Sequence, residues 1–126
     1  MDTTKPSEFS ISTSELAAQL LSDTAPLVID VRRNPAYLAS EYTLPNAIRR
    51  DPLKITEWAA EIPMTGSVLV YCVHGHEVSR GVMSTLREHG IRATYLQGGI
   101  EAWRCAGFPL MSKAANAAKS ENWKPA

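Results

Sequence analysis

The stretch Ser67-Val68-Leu69-Val70-Tyr71-Cys72-Val73-His74-Gly75-His76-Glu77-Val78-Ser79-Arg80 decides how the rest of the chain is read. Its first half is an apolar run rich in β-branched residues, which predicts a strand over 67–72. Its second half opens an amphipathic pattern that predicts a helix over 78–89, closed by Gly90. Between them lies a short loop, and Gly75 lets that loop curl tightly. The thiol of Cys72 therefore falls at a strand-to-helix turn. The helix offers unpaired backbone N–H groups and a partial positive charge there, a setting that favours a thiolate or a bound anion. Cys72 is accordingly the candidate nucleophile. Cys105, on an amphipathic helix beside Trp103 and Ala106, has no such setting and reads as a structural residue.

Working outward, strand and helix patterns alternate. Phe9-Ser10-Ile11 reads as a short strand, and Ser12-Thr13-Ser14-Glu15 as a capping box before a helix ending near Ser22-Asp23. The apolar run 27–31, interrupted only by Asp30, suits a central strand covered on both faces. A short helix or irregular segment over 35–40 follows, then a turn into a brief strand over 44–48, then a helical stretch over 52–60. Beyond the central helix come a strand over 93–96 and a helix over 99–105 closed by Gly107, with Trp103, Phe108 and Pro109 packing at its end. Such alternation predicts an α/β layer with a mostly parallel sheet, where ligands collect at the carboxyl ends of strands. Cys72 lies at such an end.

At 126 residues the chain fits one domain. The expected boundaries are an N-terminal extension over 1–8, the domain over 9–110 and a C-terminal tail over 111–126 that could form a marginal surface helix. Thirteen basic and thirteen acidic side chains cancel, so no long-range field draws nucleic acid or an anionic membrane, and neither partner is expected. The N-terminus lacks the charged-then-apolar layout of a secretory signal, and no apolar run is long enough to span a bilayer, which suggests a cytoplasmic protein. Two cysteines 33 positions apart suit reduced thiols better than a disulfide scaffold. His74 and His76 form a Cys-x-His-x-His string with Cys72. Three ligands at alternate positions of so short a loop are awkward around one tetrahedral ion, so no metal is expected. The histidines read as exposed loop residues or as groups that help orient an anionic substrate. Asp30 and Arg32, just past an apolar strand, read as a supporting pair that fixes neighbouring loops.

Taken together, these residues resemble the rhodanese (sulfurtransferase) family over about 9–110. Asp30-Val31-Arg32 follows an apolar strand, and Tyr71-Cys72 opens a six-residue loop with Gly75 at its fourth position. Leu96-Gln97-Gly98-Gly99-Ile100-Glu101-Ala102-Trp103, with Ala106-Gly107-Phe108-Pro109, is similar to the family's Leu-x-Gly-Gly-x-x-x-Trp and closing Gly-x-Pro pattern. The resemblance implies a three-layer α/β fold whose mostly parallel five-stranded sheet is flanked by helices. It implies a sulfurtransferase that carries a sulfane sulfur on Cys72 as a persulfide, with the backbone N–H groups of Val73, His74, Gly75, His76, Glu77 and Val78 cradling the negative charge. No cofactor is needed. The implied partners are thiosulfate, persulfides and a thiophilic acceptor, an acceptor protein among the candidates.

The chain departs from the family pattern in places. The family loop commonly has a basic residue after the cysteine and Arg, Lys or Thr at its sixth position, where this chain has Val73 and Glu77. A carboxylate there would repel thiosulfate, which favours a less charged donor such as a persulfide. Thr43-Leu44-Pro45-Asn46-Ala47 stands where the family has His-Ile-Pro-Gly-Ala. Two other readings compete. A phosphatase or arsenate reductase would use the same loop on an oxyanion but requires an arginine where Val78 stands, and Arg80 is expected to point away from the loop. A non-enzymatic interaction module would keep the fold without turnover.

Overall fold

The computed structural model describes residues 9–23, 25–62, 66–75 and 77–115. Strand β1 (Ser10–Ile11) leads into helix α1 (Thr13–Leu20) through the expected capping box: the Glu15 N–H donates to Ser12 Oγ at 3.1 Å and the Ser12 N–H to Glu15 Oε1 at 2.8 Å. The helix ends at Leu20, two residues before the expected stop, and the chain continues in turns in which the N–H groups of Leu21 and Ser22 still reach back to helical carbonyls. Strand β2 (Leu27–Asp30), helix α2 (Asn34–Ala39), strands β3 (Tyr42–Thr43) and β4 (Ile48–Arg49), and helix α3 (Ile55–Trp58), flanked by single 3-10 turns, come next. Strand β5 (Ser67–Tyr71), helix α4 (Glu77–Glu88), strand β6 (Arg92–Leu96), helix α5 (Gly99–Cys105) and strand β7 (Met111–Ser112) complete the order.

Five strands form one sheet in the order β1-β6-β5-β2-β4, and every pairing in it is parallel. The central strand β5 has Val68, Leu69, Val70 and Tyr71 all buried, as an apolar strand covered on both faces must be. Alternation sorts these side chains. Val68 and Val70 join Ile29, Trp58, Val82, Met83 and Leu86 on one face, while Leu69 and Tyr71 join Leu16, Leu44, Ile100 and Trp103 on the other. Helices α3 and α4 thus cover one face, and α1 and α5 the other, giving the three layers implied by the sequence. Trp103 is held at the end of α5 by its Nε1–H donating to the Pro109 carbonyl at 2.7 Å, with its ring centroid 4.9 Å from that of Phe108.

Two local findings depart from or refine the sequence reading. Residues assigned to the tail begin with β7, which pairs antiparallel with β3, an element the sequence did not announce. Lys113 extends the ladder: its N–H donates to the Glu41 carbonyl at 2.8 Å and its Nζ to the Tyr37 carbonyl at 2.8 Å. The expected surface helix over the rest of the tail falls mostly on 116–126, outside the described residues. The second finding concerns Asn46, which adopts φ 62°. The resembled family has glycine there, and asparagine is among the few other residues that tolerate the left-handed region.

Candidate active site

Cys72 follows directly on β5, and its side chain is 6% exposed, so the thiol sits in the floor of the surface rather than on it. Its Sγ lies 3.2 Å from the hydroxyl oxygen of Ser79, a fully buried residue in the first turn of α4. The thiol donates to that oxygen. Once the sulfur is a thiolate, the hydroxyl proton can turn to it, so Ser79 holds the sulfur's position in both states. Ser79 was missed by sequence reasoning; the signal available was a polar residue on the buried stripe of an amphipathic helix.

The loop after Cys72 is fixed from below by α5. Ile100 N–H donates to the Cys72 carbonyl at 3.0 Å and Glu101 N–H to the Val73 carbonyl at 3.1 Å, so the first turn of α5 uses its unpaired donors on the loop. Because no peptide bond among the described residues is cis, the N–H of each linked peptide points opposite to its carbonyl. The N–H groups of Val73 and His74 therefore face away from α5. Gly99, at φ 63°, must be glycine for steric reasons, since a Cβ there would meet the Cys72 and Val73 carbonyl oxygens. Gly75, at φ 73°, is buried against the same segment: a Cβ would fall 2.7 Å from both Gly98 N and Leu96 O. The Gly-Gly pair of the sequence and the loop glycine are thus two sides of one close backbone contact.

Asp30 and Arg32 are brought together. The guanidinium grips the carboxylate through Nε at 3.0 and 3.1 Å and Nη2 at 2.6 Å, and both side chains are buried. The Tyr71 hydroxyl donates to Asp30 Oδ2 at 3.0 Å and accepts the Leu44 N–H at 3.2 Å, while Arg32 Nη2 also donates to the Tyr42 carbonyl at 3.0 Å. Burial alone would favour a neutral Arg32, but the hydrogen bond and charge of Asp30 outweigh it and raise its pKa above the ordinary value. Burial, reinforced by Asp30, pushes the Tyr71 phenol well above its usual range, so it stays a donor. This network ties β2, β3, β5 and the turn before β4 into one rigid wall.

A cavity of about 480 Å³ opens above Cys72, lined by Val73 and His74 of the loop, by Glu77, Val78 and Arg80 of α4, and by Arg32, Arg33 and Ala36 of the segment after β2. Of the expected site residues, Cys72, Val73, His74, Glu77, Val78 and Arg32 border it, whereas Gly75 and Asp30 lie buried behind it. His76 lies outside the described residues. The expectation that Arg80 turns away is corrected. With Ser79, Val82, Met83 and Leu86 forming the buried stripe of α4, Arg80 stands beside that stripe, half-buried, and borders the cavity. Arg33 went unremarked in the sequence and arrives from the start of α2. Glu77 is exposed, which weakens its repulsion of an anion through solvent screening.

Replacing Ser79 by alanine should slow the attack of the Cys72 sulfur on an electrophilic substrate by about tenfold, the worth of one hydrogen bond to a charged group. Single-turnover kinetics would show it, and a rate equal to that of the unaltered protein would remove Ser79 from the reaction.

The chain belongs to the rhodanese-like domain family: the family's sequence model matches residues 12–106. It is 32% identical over 100 residues to the thiosulfate sulfurtransferase GlpE of Pseudomonas fluorescens, covering 79% of this chain and 88% of that one. It is 29% identical over 99 residues to a sulfurtransferase of Allochromatium vinosum, covering 79% and 92%. Among solved structures, a rhodanese-like domain protein from Staphylococcus aureus superposes with a TM-score of 0.70 at 28% identity, over 82% of this chain and 97% of that one. The α/β architecture implied by the resemblance is shared with that superposed structure.

Proposed function

We propose that this chain is a sulfurtransferase of the cytoplasm that takes a sulfane sulfur onto Cys72 from thiosulfate or a persulfide and passes it to a thiophilic acceptor, a small molecule or a protein. The observation that carries the reading is a nearly buried thiol at the carboxyl end of the central parallel strand, in the floor of a cavity bordered by arginines. The names of the relatives support it.

The chemistry follows from the geometry. The Cys72 thiolate attacks the outer sulfur of the donor, forming a new S–S bond at Sγ. The donor's own bond to that sulfur breaks and the leaving group departs with the electron pair, as sulfite from thiosulfate or as a thiolate from a persulfide. In the second half-reaction an acceptor nucleophile attacks the carried sulfur and Cys72 leaves as the thiolate. Backbone N–H groups of the loop, those of Val73 and His74 among them, hold the negative charge throughout and need no reorganisation because α5 fixes their peptides. Asp30 and Arg32 act behind the cavity by holding its wall. The residues of the site supply what the transfer requires without a cofactor.

Intact mass measurement of the reduced protein after exposure to thiosulfate or to a persulfide tests this. A gain of about 32 Da, removed by an added thiol, is the expected result; no gain with either donor would overturn the reading in favour of an interaction module. An oxyanion hydrolase has one observation in its favour, the presence of Arg80 at the cavity. Yet Arg80 stands in the first turn of α4 rather than in the loop. Turnover of p-nitrophenyl phosphate with no sulfur loading would establish that alternative.

A further inference from the structure

The cavity over Cys72 holds more charge than a simple inorganic donor requires. Arg33 and Arg80 border it, and neither side chain makes a hydrogen bond or ion pair to another described residue. Glu77 borders it too and is equally unpaired among the described residues, although it shares the first turn of α4 with Arg80. Three charged residues of mixed sign thus border one space, none of them in a hydrogen bond or ion pair with another described residue. Ala36, Val73 and Val78 supply apolar wall between them. At about 480 Å³ the space also falls in the range that encloses organic ligands rather than a five-atom anion.

We propose that the cavity receives a low-molecular-weight persulfide bearing both carboxylate and ammonium groups, an amino-acid or small-peptide persulfide, with Arg33 and Arg80 at its carboxylate and Glu77 at its ammonium. This deepens the reading of Cys72 as the sulfur carrier and rests on it. A dianion such as thiosulfate uses the arginines but meets Glu77 as a like charge. An apolar persulfide leaves all three groups without a counterpart. Only a donor of mixed charge answers each of them, while its methylene stem lies along Ala36, Val73 and Val78. The transfer is balanced: the Cys72 thiolate and R–S–SH give Cys72–S–SH and R–S⁻, one S–S bond forming as another breaks. The sulfane sulfur keeps its oxidation level and no oxidant is consumed.

Four persulfides separate the charges: those of cysteine and glutathione carry both groups, that of cysteamine only the ammonium, and that of 3-mercaptopropionate only the carboxylate. The expected order of kcat/KM for loading Cys72, at one ionic strength, places the two mixed-charge donors about three- to fivefold above each single-charge donor, the worth of exposed ion pairs. The double variant Arg33→Gln/Arg80→Gln should erase the advantage of a carboxylate and, by removing two like charges, quicken the cysteamine donor. Glu77→Gln should erase the advantage of the ammonium and quicken thiosulfate. Raising the salt concentration should flatten the order in the unaltered protein. All three positions lie at the surface or half-buried, so the variants keep the fold, which their unchanged unfolding midpoints verify. Equal loading by all four donors, or an order that survives the charge-removing variants, would overturn this assignment while leaving sulfur transfer intact. No loading by any of the four, and none by thiosulfate, would overturn both.

Discussion

Replacing Cys72 by serine is expected to abolish sulfur transfer, lowering turnover by roughly 10³-fold or more with every donor, while Cys105→Ser changes nothing. The asymmetry follows from place. Cys105 is exposed at the far end of α5, where Arg104 Nη2 lies 3.9 Å from its sulfur. Cys72 is the thiol at the cavity floor, with its carbonyl tied to Ile100 N–H and its sulfur to Ser79. Serine keeps the volume and the contact with Ser79, so the variant should fold as stably as the parent, and its loss of activity then reports chemistry alone. A hydroxyl at that site remains protonated near neutral pH and cannot carry a sulfane sulfur. The measurement is steady-state turnover beside intact mass: the serine variant should gain no sulfur. A Cys72→Ser protein that still transfers sulfur would assign the carrier to another group, and one that sustains the protein's cellular role without transfer would make the domain a binding module.

The parts of the fold that could be read in the sequence are those whose signal is local. β5 and β2 are largely apolar runs, and the Ser12–Glu15 capping box is a pattern of one turn, so both strands and the start of the helix stand where they were expected. The Gly98-Gly99 pair was legible only as a motif. Its reason, that a side chain at Gly99 would strike the carbonyls of Cys72 and Val73, requires knowing that α5 passes beneath the loop. β3 and β7 are two residues each, too short to show a period of two, and their pairing joins positions 42 and 112.

The charged rim of the site was hidden for a related reason. Arg33 belongs to the segment after β2 and Arg80 to the helix after β5; only the parallel pairing of these strands brings both segments to one end of the sheet. Arg80 could not be aimed from sequence because helical periodicity gives the angle between residues but not the rotation of the whole helix. Ser79 sets that rotation by being buried against Cys72, and Arg80, one position on, then borders the cavity. A polar residue on an otherwise apolar stripe misleads the sequence reading and points to the site once the fold is known.

Removing the counter-ion beneath this wall should have the largest effect on stability. In Asp30→Ala the guanidinium of Arg32, 2% exposed, loses its partner at 2.6 Å and stays in a place built to exclude water. Leaving such a charge uncompensated costs about 3–5 kcal/mol, against a total stability of about 5–15 kcal/mol for a domain of ordinary size. The Tyr71 hydroxyl loses its acceptor in the same change, which adds an unsatisfied buried donor. The urea midpoint of Asp30→Ala should therefore fall steeply with an unchanged slope. The double variant Asp30→Leu/Arg32→Met distinguishes an ion pair that stabilises from one that merely must not be broken. It removes both charges and keeps the volume, and should recover much of the stability lost by the single change, since apolar packing often replaces a buried pair at little cost. Its sulfur transfer should remain impaired, because Arg32 Nη2 anchors the Tyr42 carbonyl and the side chain borders the cavity. Recovery of stability together with full activity would reduce the pair to a folding device; recovery of stability alone would place its value in holding the wall that faces Cys72.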